Sequence, residues 1–180
     1  PGAARGDAAQ RLPLRWQYLA APVAIFILAV IMAVYFYPKL PAATAYHFTR
    51  DGTPDRWLGR PLVMVWALAL QLVLALLAYT IVRGITSLNL FSRPAATAIS
   101  PGKVLFFMGN IVALPQLVVG FAMLDIFSYN VYQAHLIPLW LFMLIIMGLA
   151  TIGLGVFFLL IISRAIRQQI PRSHRTTKEG

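Results

Sequence analysis

Apolar residues run with little interruption from Tyr18 to Tyr37, Pro61 to Val82, Val104 to Leu124 and Leu136 to Ser163. About 20 such residues cross the hydrocarbon core of a bilayer. The first two runs carry no formal charge, the third is uncharged until Asp125, and the fourth is long enough to tilt or to emerge from the membrane. Lipid offers no partner for a free backbone N–H or C=O, so these runs form helices rather than strands. The pattern predicts an all-α membrane protein with four transmembrane helices. Their spans are about 18–37, 61–82, 104–125 and 136–163, flanked by tails over 1–17 and 165–180.

Prolines mark the boundaries. Pro22 lies in the first turn of the first helix, and Pro61 and Pro138 open the second and fourth, where a missing N–H costs least. Pro115 falls inside the third run and predicts a kink, with its freed carbonyl satisfied by neighbouring helices or side chains. Gln71, Asn110 and Gln116 are the strongly polar side chains well inside the runs, and such groups hold helices together. Gly148, Thr151, Gly153 and Gly155 give the fourth helix a ridge of small residues, expected to pack within the bundle.

Composition supports the membrane reading. Of the 180 residues 60% are hydrophobic and only 11% charged, whereas globular chains run nearer half apolar and a quarter charged. There is no cysteine, which excludes disulfides, thiolate metal sites and cysteine nucleophiles. A formal charge of +10 belongs to residues flanking the apolar runs rather than to a basic face of a folded domain, so no nucleic-acid partner is expected. Arg5, Arg11, Arg15, Arg83, Arg93, Lys103, Arg164, Arg167, Arg172, Arg175 and Lys178 fall in or beside the tails and the second connection. Lys39, Arg50, Arg56 and Arg60 fall in the first connection, and the third has none. The positive-inside rule then predicts cytoplasmic N and C termini, with the first and third connections outside.

Three further segments are read from pattern. Basic residues, an apolar run and "AATA" at Ala42–Ala45 resemble a signal peptide, but the run exceeds the 7–15 residues of a signal-peptide core, so the first helix is expected to be a retained span. The second connection, with Leu88, Leu90 and Phe91 before Pro94, suggests a short interfacial helix. The basic C-terminal tail suits anionic lipid headgroups, and His174 in it is expected to be solvated. No fixed-period repeat indicates a solenoid or an inverted-repeat transporter.

The predicted topology gathers chemistry at one membrane face. His47, Asp51 and Asp55 lie in the first connection, Asp125 near the outer end of the third helix, and His135 just before the fourth. Imidazoles and carboxylates suit a divalent cation such as zinc, and an open zinc site activates water. The spacing argues against it, since there is no His-Glu-x-x-His pair and the two histidines are far apart in sequence. No cofactor is therefore expected, with His47, His135 and Asp125 the residues that would serve a metal. His47 and Asp51 would align only on a helix, and Gly52 and Pro54 favour a turn. Asp125 is a functional candidate as an acid at the membrane edge, and its structural role would be an ion pair with Arg56 or Arg60.

The stretch from Tyr37 to Arg60, "YPKLPAATAYHFTRDGTPDRWLGR", resembles a membrane segment of unknown function shared by SdpI-type bacterial immunity and signalling proteins and many relatives without an assigned role. Leu40-Pro41, His47, Gly52, Pro54-Asp55-Arg56-Trp57 and Arg60 match that pattern in order and spacing. Thr49 stands where the pattern usually has Asn, and Arg60 where it usually has Lys. Thr keeps an oxygen acceptor without amide donors, and Arg keeps the charge with different geometry. The resemblance covers about 60 residues. It implies a multi-pass protein of the bacterial cytoplasmic membrane that meets a peptide toxin or protein partner outside and relays exposure to a cytoplasmic regulator.

No Gly-x-Ser-x-Gly elbow, phosphate-binding glycine loop or dinucleotide fingerprint is present. The expected function is therefore non-enzymatic, with His47, Asp51, Asp55, Arg56, Trp57 and Asp125 as partner-binding residues. The alternatives are a divalent-metal enzyme of the outer face and an accessory subunit of a larger complex. Besides the lipid bilayer, a second copy of the chain is an expected candidate partner.

Overall fold

The computed structural model describes residues 15–87 and 101–169. It is mostly helical, with four helices long and apolar enough to cross a membrane. A 3₁₀ turn, Trp16–Tyr18, leads into α1 (Ala20–Phe36), and a second 3₁₀ turn (Tyr37–Lys39) closes that span. A β-hairpin of β1 (Ala43–Phe48) and β2 (Pro54–Gly59) follows, then α2 (Arg60–Ser87), α3 (Pro101–Asn110), α4 (Ala113–Tyr132) and α5 (Leu139–Gln169). The expected interfacial helix of the second connection and most of both tails, His174 included, lie outside the described residues.

The third span is α3 and α4 together, Gly102–Tyr132, broken at Ile111 and Val112. Pro115 has no N–H for the Ile111 carbonyl, and Leu114 N–H takes that acceptor at 3.1 Å, so the backbone satisfies itself with a tighter turn. The kink falls upstream of the proline and needs no neighbouring helix to repair it. This span also continues two turns past Asp125, ending where Gln133 adopts φ 56° and its N–H returns to Tyr129 O at 2.8 Å. An acid inside the helix is tolerated because the next connection folds back to supply its donors.

Two apolar layers hold the bundle together. Near the hairpin, Ala29, Ala33 and Phe36 of α1 meet Val63 and Met64 of α2 and Met123 and Phe127 of α4. At the other end Tyr18 and Leu19 pack against Ala78, Val82, Leu105 and Val112. Gly109 is required there, because a Cβ would collide with the Tyr18 carbonyl oxygen and come within 2.7 Å of Val82 Cγ2. Between the layers sit two fully buried amides. Gln71 Nε2 donates to Gln116 O at 3.0 Å, and Gln116 Nε2 reaches Gln71 O and Pro22 O, each at 3.3 Å. Asn110 joins the far ends, accepting from Ala21 N–H at 2.9 Å and donating to Gln17 O at 3.1 Å. All three polar residues thus tie helices together, as their position in apolar runs predicts.

The fourth span differs from its expected packing. No residue of the Leu139–Leu160 window of α5 is buried, and Gly148, Gly153 and Gly155 have nothing within 4 Å of a built Cβ. The small-residue ridge faces away from the bundle, because α5 is held instead by aromatic faces. Phe142 stacks on Phe121 with centroids 4.0 Å apart, and Phe157 on Phe107 at 5.6 Å.

Candidate functional site at the hairpin face

The first connection is a folded hairpin because its sequence supplies both strands and turn. β1 and β2 pair antiparallel from Ala43↔Gly59 to Phe48↔Pro54. The loop between them is Thr49–Thr53, closed on itself: Gly52 N–H donates to Thr49 O at 3.0 Å, and Thr49 N–H to Thr53 O at 2.9 Å. Gly52 carries φ 83°, a conformation a side chain strains. Side chains brace the same turn. Thr49 Oγ1 donates to the Asp51 carboxylate and lies 2.7 Å from Thr53 Oγ1, while Thr53 Oγ1 donates to Asp51 at 3.0 Å. These bonds, Thr49 first and Thr53 next, hold the Asp51 carboxyl below the usual aspartate range. Asp51 and Thr49 are therefore occupied in turn chemistry.

Register irregularities on either side of His47 change which residues meet. His47 lies opposite Arg56, and its Nδ1 is 2.6 Å from Asp55 Oδ1. The ring's partner is the acid eight residues on, across the hairpin, rather than Asp51 four residues on. Asp55 so engaged holds the ring, and the His47 and Asp55 side chains are 56% and 38% exposed. Trp57, opposite Ala45, is 55% exposed. Arg56 is exposed beside them.

A second histidine–carboxylate pair lies beneath the turn. His135 Nδ1 is 2.9 Å from Asp125 Oδ2, its Nε2 is 3.1 Å from the Gly52 carbonyl oxygen, and Leu136 N–H donates to Asp125 Oδ1 at 2.8 Å. Each ring nitrogen of His135 thus faces an oxygen, one on the third span and one in the hairpin turn. The ring also stacks on Tyr129 and stands edge-on to Phe48, each with centroids 4.7 Å apart. This pair is the more shielded, at 33% and 18% side-chain exposure. Asp125 thus anchors the α4–α5 connection and the hairpin turn, rather than pairing with Arg56 or Arg60.

Arg60 has a separate task. Its Nη1 donates to Leu40 O at 3.2 Å and Tyr37 O at 3.3 Å, and its guanidinium lies 4.7 Å over the Tyr37 ring. It satisfies carbonyls left open at the end of α1, tying that end to the start of α2.

Sequence reasoning missed Asn130. Its Oδ1 accepts from Ala45 N–H at 2.9 Å and its Nδ2 donates to Ala45 O at 2.8 Å, so one side chain pairs with β1 as a neighbouring strand would. An amide near the end of an apolar run is the signal that was available. Phe48 and Tyr129, which enclose His135, were missed because aromatics near a membrane face are ordinary.

The structure therefore divides the five acidic and histidine candidates by role. Asp51 belongs to the turn, Asp125 and His135 to the seat beneath it, and His47 and Asp55 to the exposed surface with Arg56 and Trp57. The proposed metal set is split, with His47 on Asp55 and His135 on Asp125. Among the described residues no three His, Asp or Glu side chains converge as a metal-holding group.

These features define a membrane-protein class: four apolar spans whose first connection is a short hairpin docked on the end of the third span. Residues 24–73 match a protein family described as Domain of unknown function (DUF1648). That match covers most of α1, the hairpin and the first half of α2, and leaves Asp125, Asn130 and His135 outside it. No curated protein and no solved structure matches the chain.

Proposed function

We propose that this chain is a non-enzymatic protein of the bacterial cytoplasmic membrane, akin to the SdpI-type immunity and signalling proteins, that binds a peptide or protein partner through its hairpin. In this reading both termini are cytoplasmic and the hairpin is outside, as the positive-inside rule predicts. The observation that carries it is the set of exposed residues His47, Asp55, Arg56 and Trp57 on a hairpin seated through Ala45 and Gly52. An exposed Trp beside an Arg and a braced His–Asp pair is the composition of a protein-binding hot spot, preorganised so that little entropy is lost on association. Its site would comprise His47, Asp55, Arg56 and Trp57, with Asp51 and Asp125 supporting them.

The test compares cells with and without the protein for sensitivity to a panel of envelope-active peptides, alongside affinity purification of the tagged protein. The expected result is greater sensitivity to at least one peptide on deletion, not restored by Trp57→Ala. Unchanged sensitivity together with no co-purifying partner would falsify the reading.

A further inference from the structure

An opening in the described structure lies away from the His–Asp pairs. It is a groove of about 770 Å³ on the membrane-facing side of the bundle, between α2 and α4. Tyr46 of β1 and Leu58 of β2 form its upper end, Met123 of α4 lies along its floor, and Val73 of α2 marks its lower end. Ala67 and Ala122 line facing helices at mid-depth, so small side chains leave the slot open where larger ones would close it. No charged residue lines it.

We propose that this groove binds one acyl chain of a membrane phospholipid from the leaflet nearest the hairpin. Three observations select that occupant. The groove is continuous with the lipid-contacting surface of the spans, since Trp66 and Val73 on its α2 wall are 67% and 59% exposed. Its α2 wall, from Leu62 to Val73, covers eleven residue steps, about 16 Å at 1.5 Å per residue. One leaflet of a hydrocarbon core about 30 Å thick has that depth. Its volume also falls in the range of about 300–1,000 Å³ that holds small ligands. The inference is independent of partner binding, because the His47–Asp55 pair takes no part in it. Tyr46 links the two regions, so the chain would pack directly beneath the hairpin.

Two measurements test it. In native mass spectrometry of detergent-purified protein, the wild type is expected to retain one phospholipid per chain. Ala122→Trp and Ala67→Phe, which fill the slot, are expected to lower the retained fraction at least tenfold. Ile152→Trp, on the exposed face of α5, is expected to leave it unchanged. In the wild type reconstituted with a phospholipid carrying a photoreactive acyl chain, labelling of groove residues is expected to exceed that of α5 at least fivefold. A lipid-free wild type, equal loss in Ile152→Trp, or uniform labelling of α2, α4 and α5 would each overturn the proposal. So would a lipid-free dimer that Ala122→Trp turns into a monomer, since the groove would then be an interface between copies.

Discussion

His135 lies with Nδ1 2.9 Å from the Asp125 carboxylate, and its other ring nitrogen meets the carbonyl oxygen of Gly52 at the hairpin turn. One side chain thus joins the third span, the last connection and the hairpin. Asp125→Ala removes the acceptor of both His135 and Leu136 N–H. The expected cost is about 0.5–1.5 kcal/mol, the net range for a hydrogen bond whose partners keep access to water. Since the chain has no cysteine, spin labels at Arg50→Cys and Ala134→Cys read the separation directly. The distance distribution is expected to broaden in Asp125→Ala and to stay narrow in Trp57→Ala.

Asn130 holds β1 through both of its amide atoms. Asn130→Ala leaves the Ala45 N–H and C=O unpaired, and Ala45 is 2% exposed. A loss of about 1–3 kcal/mol is expected, seen as faster hydrogen exchange at the Ala45 amide. Asn130→Asp keeps the acceptor for Ala45 N–H but loses the donor, and is expected to fall between wild type and Asn130→Ala.

Gly109 is fixed by close approach, with the Tyr18 carbonyl occupying the place of a side chain. Gly109→Ala is expected to separate α3 from the N-terminal turn and to cost about 1–3 kcal/mol or more, the overpacking range. Thermal unfolding in detergent measures it. Gly148→Ala on α5, open on all sides, is the control expected to leave the midpoint nearly unchanged.

Acid should loosen the hairpin turn through Asp51. Its carboxyl sits below the usual aspartate value of about 3.9 because Thr49 and Thr53 donate to its ionised form. A group depressed on folding stabilises the fold above its unfolded value and loses that contribution as pH falls through the folded one. Amide protection at Gly52 and Thr53 is therefore expected to be full at neutral pH and to decline only below the usual aspartate range. Asp51→Asn is expected to show weaker protection at neutral pH and no such decline. Hydrogen exchange across that window checks both.

Metal content separates the proposed function from the enzyme alternative. With His47 and His135 on different carboxylates, purified protein is expected to carry no stoichiometric zinc. One zinc per chain, lost in His47→Ala, would transfer the hairpin surface to metal chemistry.

The sequence by itself determined the four spans, because an apolar run of bilayer length has no stable form in lipid other than a helix. It also determined the use of Gln71, Asn110 and Gln116, since an amide inside such a run must find a partner on another helix. The turn at Gly52 was equally legible. Only the tertiary structure decided which polar residues meet. His47 pairs with Asp55 because strand irregularities bring them together, a matter of register that no spacing rule reveals. Asp125 pairs with His135 because α4 runs on to Tyr132 and the next connection folds back beside it. The groove between α2 and α4, and the exposed ridge of α5, likewise follow from how helix faces pair. In lipid every face of an apolar helix has the same hydropathic signature, so pattern alone cannot say which face is buried.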